Sequence, residues 1–251
     1  MGKKARRNYE GMNNVEDIHA RHEHKNNKKL TIHDLKPIKP INEPQKQMFE
    51  SYFSENFIVA NGSAGTGKSF CSIFLALNDV LSKDRPQKKL IIVRSAVPSR
   101  EIGHLPGTED EKLEPYEAPY KDIFAELLGR KVAYDKMKKQ KIVEFVPTSF
   151  IRGLTWDDAV IVVDEVQNMT FYEINSVITR VGANSKLIVI GDQIQTDLYR
   201  RKNDQTGIAE FIRVADRMDE FDHVVFTKHD IVRSSFVKSW ICALEDSNIN
   251  F

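Results

Sequence analysis

Apolar residues recur along the chain in two alternating rhythms. Short, almost unbroken apolar runs at residues 57–60, 90–93, 142–146, 159–163, 187–190 and 224–226 predict strands buried on both faces. Between them, residues 45–53, 70–81, 121–128, 132–138, 171–181 and 236–244 carry apolar side chains at helical spacing. Such strands alternating with helices predict an α/β domain built on a mainly parallel sheet flanked by helices. The rhythm fails in two places. Residues 1–30 have few apolar positions and no period, so they cannot bury enough surface to offset the entropy of ordering; they are predicted to form a flexible arm. Residues 95–120 hold Pro98, Pro106, Pro115, Pro119, Gly103 and Gly107, which predict a long irregular loop that is either functional or disordered. Pro37, Pro40 and Pro44 mark an extended lead-in to the folded body, residues 31–251, whose core starts near Leu35.

Composition changes this picture little: 41% hydrophobic and 29% charged residues suit an ordinary globular protein and exclude the fibrous and disordered classes. No apolar run is long enough to span a bilayer, and the opening residues lack the apolar core of a secretory signal, so a cytoplasmic location without a membrane partner is expected. Arg6 stands where myristoylation of Gly2 would want a hydroxyl residue, and no lipid anchor is expected. Cys71 and Cys242 lack metal-ligand spacing and read as small buried hydrophobes. Net charge is +1, yet unevenly placed: Lys3, Lys4, Arg6, Arg7, Arg21, Lys25, Lys28 and Lys29 face only Glu10, Glu16, Asp17 and Glu23 in the arm. His22 and His24 in that arm have no cysteine or paired carboxylate nearby and read as solvated.

The chemistry starts after the first strand. Gly62-Ser63-Ala64-Gly65-Thr66-Gly67-Lys68-Ser69 fits G-x-x-x-x-G-K-[ST] at every fixed position and lies between a predicted strand and a predicted helix. The glycines let successive N–H groups turn toward phosphate oxygens, and the helix adds its positive end. Lys68 is placed to neutralise the β- and γ-phosphates. Ser69 offers a hydroxyl to Mg²⁺, which keeps most of its waters and takes few protein ligands. The fixed positions alone would arise by chance in roughly 1% of chains of this length, and the strand–loop–helix context lowers that further.

Two further strand ends carry polar residues. The fourth strand finishes in Asp164 and Glu165, at the edge where open α/β sheets place ligands. Asp164 is suited to hold Mg²⁺ through its water shell and Glu165 to polarise a water attacking the γ-phosphate. The strand ending near Ile190 is followed by Gly191-Asp192-Gln193-Ile194-Gln195. Gln195 reads either as a sensor touching the γ-phosphate or as part of a polar turn.

These residues resemble the PhoH family of P-loop ATPases, especially its phage-type members. The likeness runs over about residues 41–245 and rests on ordered motifs. They are the phosphate loop, Val93-Arg94-Ser95-Ala96-Val97-Pro98, Gly103-His104-Leu105-Pro106-Gly107 leading to Pro115-Tyr116, Ser149-Phe150-Ile151-Arg152-Gly153-Leu154-Thr155, Asp164-Glu165-Val166-Gln167-Asn168, Gly191 to Leu198, and Asp230-Ile231-Val232-Arg233. That family is similar to the N-terminal motor half of superfamily 1 helicases, and the resemblance implies a RecA-like core that hydrolyses ATP with Mg²⁺. It places Gln45 where that superfamily recognises adenine. It places Arg233 where a lone domain would need an arginine to reach a neighbour's γ-phosphate, which implies a homo-oligomeric ring, a hexamer. Arg233 also reads as a surface ion-pair or helix-start residue. The family's usual Arg-Pro-Ala-Val-Glu is Arg94-Ser95-Ala96-Val97-Pro98 here, and Ser234 stands where a histidine often follows the late arginine. Some relatives carry a fused PIN-type nuclease, for whose acidic cluster this chain has no segment to spare.

The target of the ATPase stays open in the sequence. A motor on single-stranded RNA or DNA fits the helicase-like motifs and the basic arm. Arg94, Thr148, Ser149 and Arg152 follow strand ends and either face such a strand or orient neighbouring loops. An ATP-dependent switch or assembly factor is the alternative, with residues 95–120 as its contact surface. A small-molecule kinase fits less well, since no arginine-rich lid is visible.

Overall fold

The computed structural model describes residues 29–95, 109–192 and 206–247. Six strands, β1 (Phe57–Gly62), β2 (Lys89–Arg94), β3 (Val143–Pro147), β4 (Ala159–Asp164), β5 (Lys186–Gly191) and β6 (Phe221–Phe226), form one sheet in the order β3-β2-β4-β5-β1-β6. Every pairing is parallel. The α/β arrangement with a parallel sheet expected from the apolar rhythm is the one observed, in keeping with the RecA-like core that the resemblance implies.

Alternation along each strand splits the core in two. Ile58, Leu90, Ile92, Val160, Val162, Ile188 and Ile190 point to a face covered by α1 (Glu43–Phe53), α2 (Lys68–Val80), α3 (Glu109–Leu128) and α4 (Ala133–Lys139). Val59, Ile91, Val93, Ile161, Val163, Leu187 and Val189 point to the other, covered by α5 (Phe171–Ile178) and α6 (Ile208–Ala215). A last helix, α7 (Ser235–Asp246), follows β6. The chain leaves β1 over one face and leaves β4 and β5 over the other, which opens a crevice at the carboxyl ends of these strands, where ligands of open α/β sheets bind.

Helix starts follow local chemistry. Asn42 accepts from the Gln45 N–H ahead of α1, and Pro44 occupies that helix's first turn, where its missing N–H costs nothing. Thr170 and Glu173 close a capping box at α5.

Three expectations are corrected. Residues 109–120, read as part of an irregular loop, form the first half of α3, with Pro115 and Pro119 inside it. Both prolines lie on the exposed side, so the carbonyls that lose a helical donor face water, while Glu117, Tyr120, Phe124 and Leu127 fasten the opposite side. Helix α5 stops at Ile178 instead of running to Val181, because the Arg180 carbonyl accepts from the Trp156 N–H and Val181 bridges Trp156. Helix α6 is an addition: Ile208, Phe211, Ile212 and Ala215 mark a buried i, i+3, i+4, i+7 face. Cys71 is buried and its thiol is pushed up to about 12 by desolvation, so it is an inert core residue.

Candidate nucleotide site

The phosphate loop leaves β1 and enters α2. Gly62, Gly65 and Gly67 take φ values of +119°, +73° and +86°, which side chains rarely adopt. At Gly62 the reason is contact with the neighbouring strand: a Cβ would lie 1.8 Å from the Phe226 carbonyl oxygen, while the Ser63 N–H donates to that same oxygen at 3.1 Å. The alanine variant Gly62→Ala is expected to lose more than about 3 kcal/mol of stability, from left-handed strain plus a displaced β6. A urea midpoint within error of the parent would contradict this.

Within the loop, Thr66 Oγ1 donates to the Ser63 carbonyl at 3.1 Å. The Lys68 ammonium donates to the carbonyls of Gly62 and Ser63 at 2.7 and 2.8 Å and to Thr66 Oγ1 at 3.3 Å. Burial lowers its pKa, against the opposing pull of Asp192, Asp164 and Glu165. Ala64 and Gly65 form the half-buried tip.

The acids arrive from β4, two strands away. Ser69 Oγ donates to Asp164 Oδ1 at 3.3 Å, which joins the two motifs directly. A hydroxyl and a carboxylate oxygen on one spot fit Mg²⁺, an ion that takes one or two protein oxygens beside phosphate and water. Glu165 follows with φ +55° and ψ +42°, a left-handed conformation unusual for a side-chain-bearing residue and common at functional sites. Desolvation, then the charge of Asp164, raises its pKa, while Arg94, a hydrogen bond from Gln167 and Lys68 act in the other direction. A carboxylate held this way is suited to take a proton from water.

The site contains a residue that the sequence reading passed over. Tyr120, on α3 and only 1% exposed, donates its hydroxyl to Asp164 Oδ2 at 2.7 Å. Asp164 Oδ1 meanwhile accepts from the Glu165 N–H at 2.9 Å and from Ser69. The carboxylate is therefore fixed on both oxygens. Its only sequence signal was a tyrosine one turn after Tyr116, on a segment read as loop.

Several other residues fall into place. Gln45 is 4% exposed; its amide nitrogen donates to the Thr66 carbonyl at 3.0 Å and its oxygen accepts from the Ile41 N–H at 3.0 Å. It thus braces the phosphate loop from α1. The Val232 N–H donates to the Gly65 carbonyl at 2.9 Å, and the stem of the exposed Arg233 packs over Gly65 of its own chain. Arg94 pairs with Asp164 across β2 and β4 and lies over the Tyr116 ring. Its guanidinium loses some basicity to burial, but nearby Tyr120, Asp164 and Glu165 leave its pKa raised on balance. Thr148 donates to Glu173 at 2.7 Å. These two orient their surroundings. Asp192 caps β5 with its N–H on Gln167 Oε1 at 2.9 Å. Gln195, the basic arm up to Lys28 and the motif around His104 lie outside the described residues.

Among the described residues, no helix is long and apolar enough to cross a membrane. The family model for PhoH-like proteins matches residues 37–245. A PhoH-like protein of Bacillus subtilis is 31% identical over 205 residues, covering 81% of this chain and 63% of the relative. A PhoH-like protein of Synechocystis is 33% identical over 207 residues, covering 81% and 61%. Protein PhoH of Escherichia coli is 33% identical over 204 residues, covering 80% and 56%. The chain therefore spans only part of the length of these relatives. A crystal structure of Pif1 helicase from Candida albicans overlays 84% of this chain and 44% of its own, at 15% identity and a TM-score of 0.40. With a phosphate loop joined to its acidic strand and a family match over nearly the whole described body, the chain belongs to the PhoH-like family, on a P-loop NTPase fold.

Proposed function

We propose that the protein binds Mg²⁺–ATP and hydrolyses it, and that hydrolysis drives an oligomeric motor on single-stranded RNA or DNA. The observation that carries the ATPase reading is the contact of Ser69 with Asp164, which supports a magnesium position beside the Lys68 cradle and next to Glu165. Loop amides and Lys68 bind the triphosphate, Ser69 and Asp164 would hold the ion, and Glu165 takes the proton of the attacking water. When bound, the ion would supply neutralisation of the triphosphate's charge. Gln45, buried at the base of the loop, is the adenine-side residue, and Gln195 the γ-phosphate contact.

Arg233 is exposed beside the loop tip, which supports a role at the phosphates of a neighbouring subunit's nucleotide in a ring. Mixing Arg233→Ala with Lys68→Ala protein tests this: a trans-acting arginine restores hydrolysis in mixed rings, a cis-acting one does not. The overall test is phosphate release from purified protein with and without single strands. Stimulation of several-fold that fades at high salt supports the motor. Hydrolysis indifferent to every strand supports instead an ATP-dependent switch or assembly factor.

Tyr120 belongs to this machinery as a positioning residue. Its phenylalanine variant leaves Asp164 Oδ2 without its buried donor, a loss of about 1.5–3 kcal/mol for a bond to a charged group. The Mg²⁺ concentration for half-maximal hydrolysis is expected to rise by roughly tenfold or more, and the thermal midpoint to fall by roughly 3–12 °C. An unchanged magnesium titration would remove Tyr120 from the site.

A further inference from the structure

Four large apolar side chains left open to solvent sit on two segments at the carboxyl-terminal rim of the sheet: Phe150 (55% exposed), Leu154 (38%), Phe171 (42%) and Tyr172 (64%). One segment leaves β3 through a helical turn, Thr148–Phe150, and continues to Leu154. The other is the first turn of α5. Hydrogen bonds fasten the two together: Thr148 Oγ1 to Glu173 Oε1 at 2.7 Å, and the Arg152 guanidinium to the Tyr172 hydroxyl at 3.4 Å. Glu173 is locked in turn by the Thr170 cap, and the backbone of Phe171 lies so near Gly207 that a Cβ there would sit 2.1 Å from the Phe171 nitrogen. The rings stand on a rigid support, beside an open space at Gly153, where a Cβ would meet nothing within 4 Å.

The charge of this surface selects the occupant. Arg152 is an exposed cation, and Glu173, the one carboxylate in residues 148–154 and 170–173, is already taken up by Thr148 and Thr170. Exposed aromatic faces with a guanidinium and no free acid suit unstacked bases on a phosphate backbone. We propose that Phe150, Phe171 and Tyr172 form a stacking platform for the bases of a single-stranded nucleic acid, with Arg152 on its backbone. This rests on the motor reading above and deepens it. Phe171 lies six residues after Glu165, joined through the helical turn Val166–Asn168, so a strand seated on the platform pushes on the segment that carries the water-activating carboxylate.

The test is fluorescence anisotropy of labelled oligo-uridine and oligo-thymidine with the full chain, wild type beside Tyr172→Ala, Phe150→Ala and Tyr172→Trp. Base stacking on an aromatic side chain implies roughly 5- to 150-fold weaker binding for each alanine variant, with the tryptophan variant close to wild type. Basal hydrolysis without nucleic acid stays unchanged in all three, which also shows that they fold. Wild-type binding that the alanine variants retain in full would overturn the platform and leave the motor standing. A wild type that binds neither strand would overturn both and turn this surface over to a protein partner.

Discussion

Glu165→Gln is expected to lower the steady-state rate of ATP hydrolysis by about 10²- to 10⁴-fold, the range of a lost general base, while ATP affinity stays within a few-fold. The substitution is nearly isosteric, and glutamine can keep both the left-handed backbone and the contact with Gln167. What it removes is the basic carboxylate proposed to take the proton of the attacking water. Burial and the charge of Asp164 raise the pKa of that carboxylate, which makes it a stronger proton acceptor than a solvated glutamate. Phosphate release and binding of a fluorescent nucleotide, measured side by side, decide the matter. Hydrolysis within threefold of wild type would leave Glu165 a structural residue. Lys68→Ala provides the contrast, since it should weaken nucleotide binding itself.

The largest effect on stability is expected far from this site. Lys186, at the start of β5 and with a side chain only 4% exposed, meets Asp79 Oδ2 at 3.0 Å and Glu55 Oε2 at 2.9 Å, and lies 4.2 Å from the centre of the Tyr52 ring. The Tyr52 hydroxyl donates to the same Asp79 oxygen at 2.9 Å, while Arg85 Nε lies 3.5 Å from the other. Asp79 itself is fully buried. Lys186→Met leaves this aspartate with weakened compensation in the core, a change that costs about 3–5 kcal/mol. For a domain of this size that is a fall of roughly 6–20 °C in the thermal midpoint. The double variant Lys186→Met with Asp79→Leu removes both charges and should recover much of the loss. A single variant as stable as wild type would show that Arg85 and Tyr52 suffice.

The strands and the phosphate loop were legible because their signals are local: a buried parallel strand writes itself as an apolar run, and the loop as fixed glycines. What stayed hidden depends on distant partners. Tyr120 meets Asp164 across 44 positions in the chain, and nothing around Tyr120 distinguishes it from any core tyrosine. Lys186 looked like the polar start of a strand, since its partners come from α1, α2 and the loops after them. Pro115 and Pro119 misled because their spacing of four puts both missing donors on the wet side of α3, which no count of helix breakers reveals. Arg94 and Thr148 were left open between a nucleic-acid role and local bracing, and their contacts with Tyr116 and Glu173 fit the bracing.

The tie between Val232 and Gly65 has a consequence for how the molecule can be watched. Asn42 holds the Asp230 carbonyl at 3.1 Å and Gly65 holds the Val232 N–H, so the chain running into α7 is stapled to the loop that cradles phosphate. Trp240 stands 59% exposed on that helix, whereas Trp156, its only counterpart in the sequence, is buried at 7%. If nucleotide shifts the loop tip, the staple is expected to pass that shift to α7, and a change in Trp240 emission on adding ATP is the measurement that checks it.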